Sequence, residues 1–466
     1  MLFSSMIFIF VFPPLLCTAY YVVPNRTYRN ILLCAASLLF YAWGEPRYIF
    51  LMLASISVNY LFGIGIEKNR SAGSGKFLLI SAVVCNLAAL GFFKYAGFFV
   101  RNINVLFRTS VTVPDLPLPI GISFYTFQAL SYIVDVYREK THAQRNFLNL
   151  TLYIALFPQL IAGPIVRYTD IENEINNRHE SFDNFINGLE QFIVGLAAKV
   201  LIANNMAVIA DSVFGSYRDA GALVLWIAAL AYTFQIYFDF AGYSRMAIGL
   251  GRMFGFHFPQ NFDYPYAATS ITDFWRRWHI TLSSWFRDYV YIPLGGSRCS
   301  RAKLIRNIII TWLLTGFWHG AEWNFVLWGF YYAVLLLFEK LFTGKLMARL
   351  PKCVTIAVSM FFVVTGWVLF RVTDIADLCA VLQRMFTPSD ISARQYIAEH
   401  AAVMSRAFFF IPAVIASLPV LKTAYGKLHA HTTGFAIELY CIICLFAASV
   451  CMLVASTYNP FIYFRF

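Results

Sequence analysis

Three places in the 466-residue chain combine reactive side chains with surroundings that could use them. The first is Thr315-Gly-Phe-Trp-His319-Gly-Ala-Glu322-Trp. An apolar run of about fifteen residues separates His319 from the basic segment Arg298–Arg306, and at about 1.5 Å per residue it carries the imidazole roughly 20 Å inward. Ionisable groups at such depth are costly and line a pathway or a site. A neutral imidazole there can take a proton from a hydroxyl, and Gly316 and Gly320 let a ligand or another backbone come close. His319 and Glu322 also stand one helical turn apart, as two metal ligands could. With no further His or Cys at ligand spacing, a Glu that orients the imidazole or pairs with an arginine is the plainer reading, and no metal site is assigned.

The second place is Thr272 to Tyr291, TDFWRRWHITLSSWFRDYVY, which separates at helical period. Trp275, Trp278, His279, Leu282, Trp285, Phe286 and Tyr289 fall on one face, and Asp273, Arg276, Arg277, Ser283, Ser284, Arg287 and Asp288 on the other. One amphipathic helix, interfacial or re-entrant, is expected, with His279 mid-face as either a packing residue or a working one. The third place is the chain end, Asn459-Pro-Phe461-Ile-Tyr463-Phe-Arg-Phe466, which follows the final apolar run. It reads either as an aromatic belt at the membrane interface or as a tyrosine offered for chemistry.

The elements that must position these groups are membrane helices. Hydrophobic residues make up 59% and charged residues 13%, against roughly 45–50% and about 25% in soluble domains. A soluble enzyme, a disordered chain and a coiled coil are thereby excluded. Apolar runs cover roughly residues 2–23, 30–43, 48–66, 77–99, 120–137, 147–166, 185–214, 222–240, 304–318, 322–341, 353–370, 404–421 and 434–456. The expectation is an all-α polytopic membrane protein of about 11 passes, with residues 1–466 as a single domain. The runs at 31–43 and 304–318 have the length of half-membrane segments, which need an enclosed cavity to satisfy their ends. Met1 to Val23 lacks the basic head and cleavage site of a secretory signal and reads as a retained first helix. The net charge of +12 reflects basic gaps between apolar runs, the positive-inside pattern, and not nucleic-acid binding. The acid-free segment Arg298–Arg306 is therefore placed in the cytoplasm. The nine cysteines lie mostly within apolar stretches, and Cys441-x-x-Cys444 has no basic neighbour to activate it.

At this point the residues resemble a known family. GISFYTFQALSYIVDVYREK and FPQLIAGPIVRY between Pro119 and Arg167, then YFDFAGY, MAIGLGRMFGF, DFWRRWHITLSSWFRDYVYIPLGG and GFWHGAEW, are similar to the membrane-bound O-acyltransferases. Within them the likeness is to the membrane subunits of bacterial alginate and peptidoglycan O-acetylation, and it covers residues 118–340. The resemblance implies a conical helical bundle with a central channel in the bacterial cytoplasmic membrane. It also implies His319 as catalytic histidine, His279 as the second, and a cytoplasmic entrance for an acyl donor. Arg245 stands where an acid is expected after Tyr-Ser, whereas Asp239 keeps its place. The tail 459–466 resembles the end of the small membrane peptide of lipoteichoic acid D-alanylation, which implies an acyl group carried on Tyr463. A phenol of pKa near 10 leaves more readily than a sugar hydroxyl, so such an ester keeps transfer potential.

The resulting expectation is transfer of an acetyl group from acetyl-CoA, bound as substrate and with no permanent cofactor, to an extracytoplasmic polysaccharide. Arg276, Arg277, Trp278 and Arg287 would receive the donor, whose phosphates need cations and hydrogen-bond donors. The partners implied are membrane lipid and an extracytoplasmic acetyltransferase of the SGNH type. Two other classes fit an aromatic-lined cavity: a transporter or flippase for a lipid-linked saccharide, and a scaffold for a polysaccharide synthase. An inverted repeat would favour a transporter, and none is evident in the sequence.

Overall fold

In lipid every backbone polar group must find a partner within the chain, which leaves helices as the economical solution for so apolar a sequence. The computed structural model describes residues 1–71, 73–347, 349–387, 392–423, 432–456 and 458–462, with the side chains of 345, 346 and 432–434 excepted. Among the described residues its regular secondary structure is all helical, without a strand.

Among the described residues seven helices are long and apolar enough to cross a membrane: Ile49–Asn69, Gly73–Phe107, Phe182–Gly215, Ala222–Met253, Trp323–Thr343, Lys352–Arg371 and Phe435–Ala455. An eighth crossing results if Ala393–Glu399 and Ala401–Ser417, bent by 92°, act as one span. Seven or eight such spans among the described residues do not confirm the expected eleven. Length is the reason. The apolar run at 120–137 forms a helix of only 16 residues, and the run at 147–166 is cut at Leu156 into a 9-residue and a 4-residue helix, all short of the roughly 20 residues a span requires.

The chain forms two compact units, Met1–Phe192 with Ser244–Pro259, and Ile193–Tyr243 with Gln260–Phe466. The first contains α1 (Phe12–Val22), α2 (Arg26–Gly44), α3 (Ile49–Asn69), α4 (Gly73–Phe107), α5 (Ile122–Tyr137), α6 (Phe147–Ala155) and α7 (Tyr168–Asn177). Asn59 and Asn86 exchange amide hydrogen bonds of 3.0 and 2.9 Å between α3 and α4, the reciprocal pairing that lets amides sit inside spans. Next along the chain, α8 (Phe182–Ala197) runs through a π-turn at Ala198–Ala203 into α9 (Asn204–Gly215), and α10 (Ala222–Met253) follows.

The second unit carries α11 (Ile271–Arg277), α12 (Ile280–Phe286), α13 (Arg301–His319), α14 (Trp323–Phe338), α15 (Lys352–Arg371), α16 (Ile375–Phe386), α17 (Phe410–Ser417) and α18 (Thr432–Ala455). Here α13 and α14 pack back to back through glycine. A Cβ on Gly316 would meet the Phe325 carbonyl oxygen and lie 3.1 Å from the Gly329 Cα, and one on Gly329 would strike the Trp312 carbonyl oxygen. The glycine preceding the Trp-His pair therefore serves the approach of a backbone. Gly320 serves the ring of Phe325, which occupies the space a Cβ there would need.

Candidate active site

The segment expected as one helix over 272–291 is broken. Its first part ends at Arg277, Trp278 is extended, and His279 takes φ 44° and ψ 54° before α12 begins. A left-handed backbone at a residue other than glycine costs energy and persists only where its surroundings impose it. The imposing element is the segment around Asn261. Ile280 N–H donates to the Asn261 carbonyl at 2.9 Å, and Asp263 N–H donates to the Arg277 carbonyl at 3.0 Å, so the break lies stitched against residues 261–263. Despite the break, Trp275, Trp278, His279, Leu282, Trp285 and Phe286 are all buried, as the single-helix periodicity predicts.

Asn261 also fixes the His279 ring. Its side-chain Oδ1 accepts from the Thr281 backbone N–H at 3.2 Å and the Thr281 hydroxyl at 2.9 Å, and lies 3.1 Å from His279 Nδ1. A backbone N–H can only donate, so the atom facing Thr281 is the amide oxygen. His279 Nδ1 must therefore carry a hydrogen, which leaves Nε2 as the basic nitrogen of the neutral ring. Sequence reasoning missed Asn261. No period or spacing links it to a histidine 18 positions later.

His319 is the last residue of α13. Its ring stands edge-on to Trp318, Trp328 and Phe370 at centroid distances of 4.9, 5.1 and 5.2 Å. The Trp318 ring also lies 6.2 Å from that of His279. Behind the histidines, Trp275, Trp278, Trp312, Trp328 and Trp367 form a connected ring cluster, with separations from 4.7 to 6.3 Å. Such a wall has little freedom to relax.

Both imidazoles line a cavity of 740 Å³ lying wholly within the second unit. Arg276, Trp278, Ser283, Arg287, Thr311, Thr315 and Lys340 also line it. The histidines are buried, whereas Arg276, Arg287 and Lys340 are exposed, so the cations stand toward solvent. Arg287 holds Asp288 through two contacts of 2.7 and 3.1 Å. Arg276 and Lys340 make no ion pair among the described residues. Glu339, beside Lys340, is already engaged: its carboxylate accepts from Ile271 N–H at 2.8 Å at the start of α11, where the helix dipole favours an anion.

Of the residues expected to receive a donor, Arg276, Trp278 and Arg287 line the cavity and Arg277 does not. Arg277 binds the Asp273 carboxylate at 2.8 Å and the Asp263 carbonyl at 3.4 Å, bracing the loop that holds His279. Glu322 precedes α14 and is outside the cavity lining. Arg245 is exposed on α10. Tyr463 lies outside the described residues. Among the described residues no group of three or more His, Cys, Asp or Glu could hold a metal ion.

Two buried imidazoles, that of His279 with its basic nitrogen fixed, in a cavity edged by cations, define a membrane protein equipped for proton-assisted group transfer. Comparison with known proteins gives that class its family. Residues 78–373 match the model of MBOAT, the membrane-bound O-acyltransferase family. The chain is 39% identical to the probable alginate O-acetylase of Azotobacter vinelandii over the whole of both chains. It is 34% identical to the peptidoglycan O-acetyltransferase of Helicobacter pylori over 87% of this chain and 84% of that one, and 29% identical to the teichoic acid D-alanyltransferase of Bacillus subtilis over 54% and 68%. The chain belongs to the membrane-bound O-acyltransferase family and is an O-acyltransferase.

Proposed function

We propose that this enzyme takes an acetyl group from acetyl-CoA at the cytoplasmic face of the bacterial inner membrane and delivers it for O-acetylation of an extracytoplasmic polysaccharide of the alginate or peptidoglycan kind. Residues 118–340 carry the transfer machinery and 459–466 the acyl-bearing tail. The reading is supported most by one observation: the cavity combines buried His279 and His319 with exposed Arg276, Arg287 and Lys340. A CoA thioester needs both. Its phosphates are held best by cations near solvent, and its carbonyl reacts best away from water. The relatives' names support acetyl as the group and a surface polymer as its destination.

In the proposed reaction His319 accepts the proton of the Tyr463 hydroxyl as that oxygen attacks the thioester carbonyl. The C–S bond breaks, the departing thiolate takes the proton from the imidazolium, and an acetyl-tyrosine ester remains. His279, its basic nitrogen set by Asn261, supports His319 or the donor. A hydroxyl presented by an extracytoplasmic SGNH-type partner then takes the acetyl group, and the tyrosine phenol is restored. No cofactor is consumed.

Tyr463→Phe tests the relay, because it keeps the ring and removes only the nucleophile. Loss of polymer acetylation at normal expression is expected. Full acetylation by this variant would overturn the relay.

A further inference from the structure

The second unit buries a charged pair that the proposed transfer does not use. Lys199, in the π-turn Ala198–Ala203, and Asp239, on α10, have side chains only 3% and 2% exposed, with Nζ 2.7 Å from Oδ1. A buried ion pair is weak support for stability, since desolvation offsets much of its attraction. Its other partners indicate a different use. The Lys199 ammonium, besides its ion pair with Asp239, donates to Asn204 Oδ1 at 2.7 Å and to the carbonyl oxygen of Pro460. The second oxygen of Asp239 accepts the backbone N–H of Ile462 at 2.8 Å. Asn204 donates to Asn459 Oδ1 at 3.2 Å, and the rings of Tyr243 and Phe461 lie 4.8 Å apart.

We propose that Lys199 and Asp239 form a clamp that grips the C-terminal segment by its backbone and sets its register, which makes them positioning residues for the tail tyrosine. Residues 459–461 lie outside any helix, and buried polar groups must be satisfied. The ammonium takes a carbonyl, and the carboxylate takes an N–H two residues later. A slip of one residue would part the Pro460 carbonyl and the Ile462 N–H from the pair and remove Phe461 from Tyr243. The pair therefore fixes Ile462, the residue to which the tail tyrosine is bonded. The π-turn fits this role: its extra residue re-aims side chains within a helix, and such turns recur at functional sites. The positioning role rests on the Tyr463 relay, whereas the clamp itself does not.

The test uses full-length protein in detergent and the double variant Lys199→Met/Asp239→Leu. Removing both charges leaves neither buried alone, while Lys199→Met and Asp239→Asn provide single variants for comparison. Hydrogen exchange of the C-terminal peptide reads the clamp. Acetyl transfer reads the positioning. Exchange at Ile462 should rise by about tenfold or more. kcat for acetylation should fall by at least about tenfold, with KM for acetyl-CoA unchanged, because donor binding is untouched. Insertion of one glycine between Ile462 and Tyr463 should likewise abolish transfer but leave exchange at Ile462 slow. Unchanged exchange in the double variant would overturn the clamp. Faster exchange with undiminished transfer would overturn the positioning role. Full activity of Tyr463→Phe, with Ile462 protected in the parent protein, would remove the relay and leave the clamp as an anchor only.

Discussion

At the scale of single residues, the site rests on which nitrogen of each imidazole is basic. For His279 the answer follows from Asn261, whose oxygen is identified by the Thr281 N–H that faces it. Asn261→Ala removes that acceptor and frees the ring to take the other tautomer. The expected result is a fall in kcat of about 10- to 100-fold with little change in KM, and no further loss on combination with His279→Ala, since the two act as one unit. Steady-state kinetics on the single and double variants checks this. His279 and His319 were legible in the sequence, because an ionisable ring on an apolar face or deep in an apolar run is conspicuous. Asn261 was not, since its role exists only once residues 261–263 lie against the break at 279. The surroundings of Arg277 were hidden for a related reason. Helical period puts it on the polar face beside Arg276, but the helix ends at Arg277, and its guanidinium turns to Asp273 and Asp263.

At the scale of elements, the depth of His319 depends on how closely α13 and α14 pack. Gly316 and Gly329 are in mutual contact, and any side chain there meets backbone, which has no rotamer by which to yield. Gly329→Leu should therefore force the helices apart and lower stability by more than the roughly 1–3 kcal/mol typical of overpacking. Thermal unfolding in detergent and the yield of folded protein measure it. A second element-scale prediction concerns the turn between α7 and α8. Burial alone would raise the Glu180 carboxyl, but hydrogen bonds from Arg26 and Tyr20, and the Arg26 charge, hold it down to about 2. A carboxyl depressed in the folded state contributes stability above its unfolded pKa, and loses it as pH falls from the ordinary carboxylate range near 4.5 toward 2. The apparent Tm of the parent should thus drop more steeply across that window than that of Glu180→Gln, and parallel curves would contradict the assignment. Periodicity predicted helical material at 272–291, and its apolar face is buried as expected, apart from the half-buried Tyr289. It could not predict the break, because the hydrophobic pattern runs through Trp278 and His279 without a glycine or proline to mark it. The number of passes is hard to read from sequence for a like reason: an apolar run announces burial, and a helix buried within protein is as apolar as one in lipid.

At the scale of the whole molecule, the family motifs between 118 and 340 draw on both compact units, yet the cavity, both histidines and the clamped tail belong to the second. The central claim is that the acyl group leaves its thioester inside that cavity and becomes bonded to this chain, with His319 moving the proton. The direct measurement is to incubate the purified enzyme with acetyl-labelled acetyl-CoA, without polymer or partner, and to follow free CoA thiol and protein-bound label together. The parent protein should release one thiol for each acetyl group it retains, with the label on the C-terminal peptide, and His319→Ala should do neither while remaining folded. Label retained at parental levels by His319→Ala, or thiol release with no label on the protein, would contradict it.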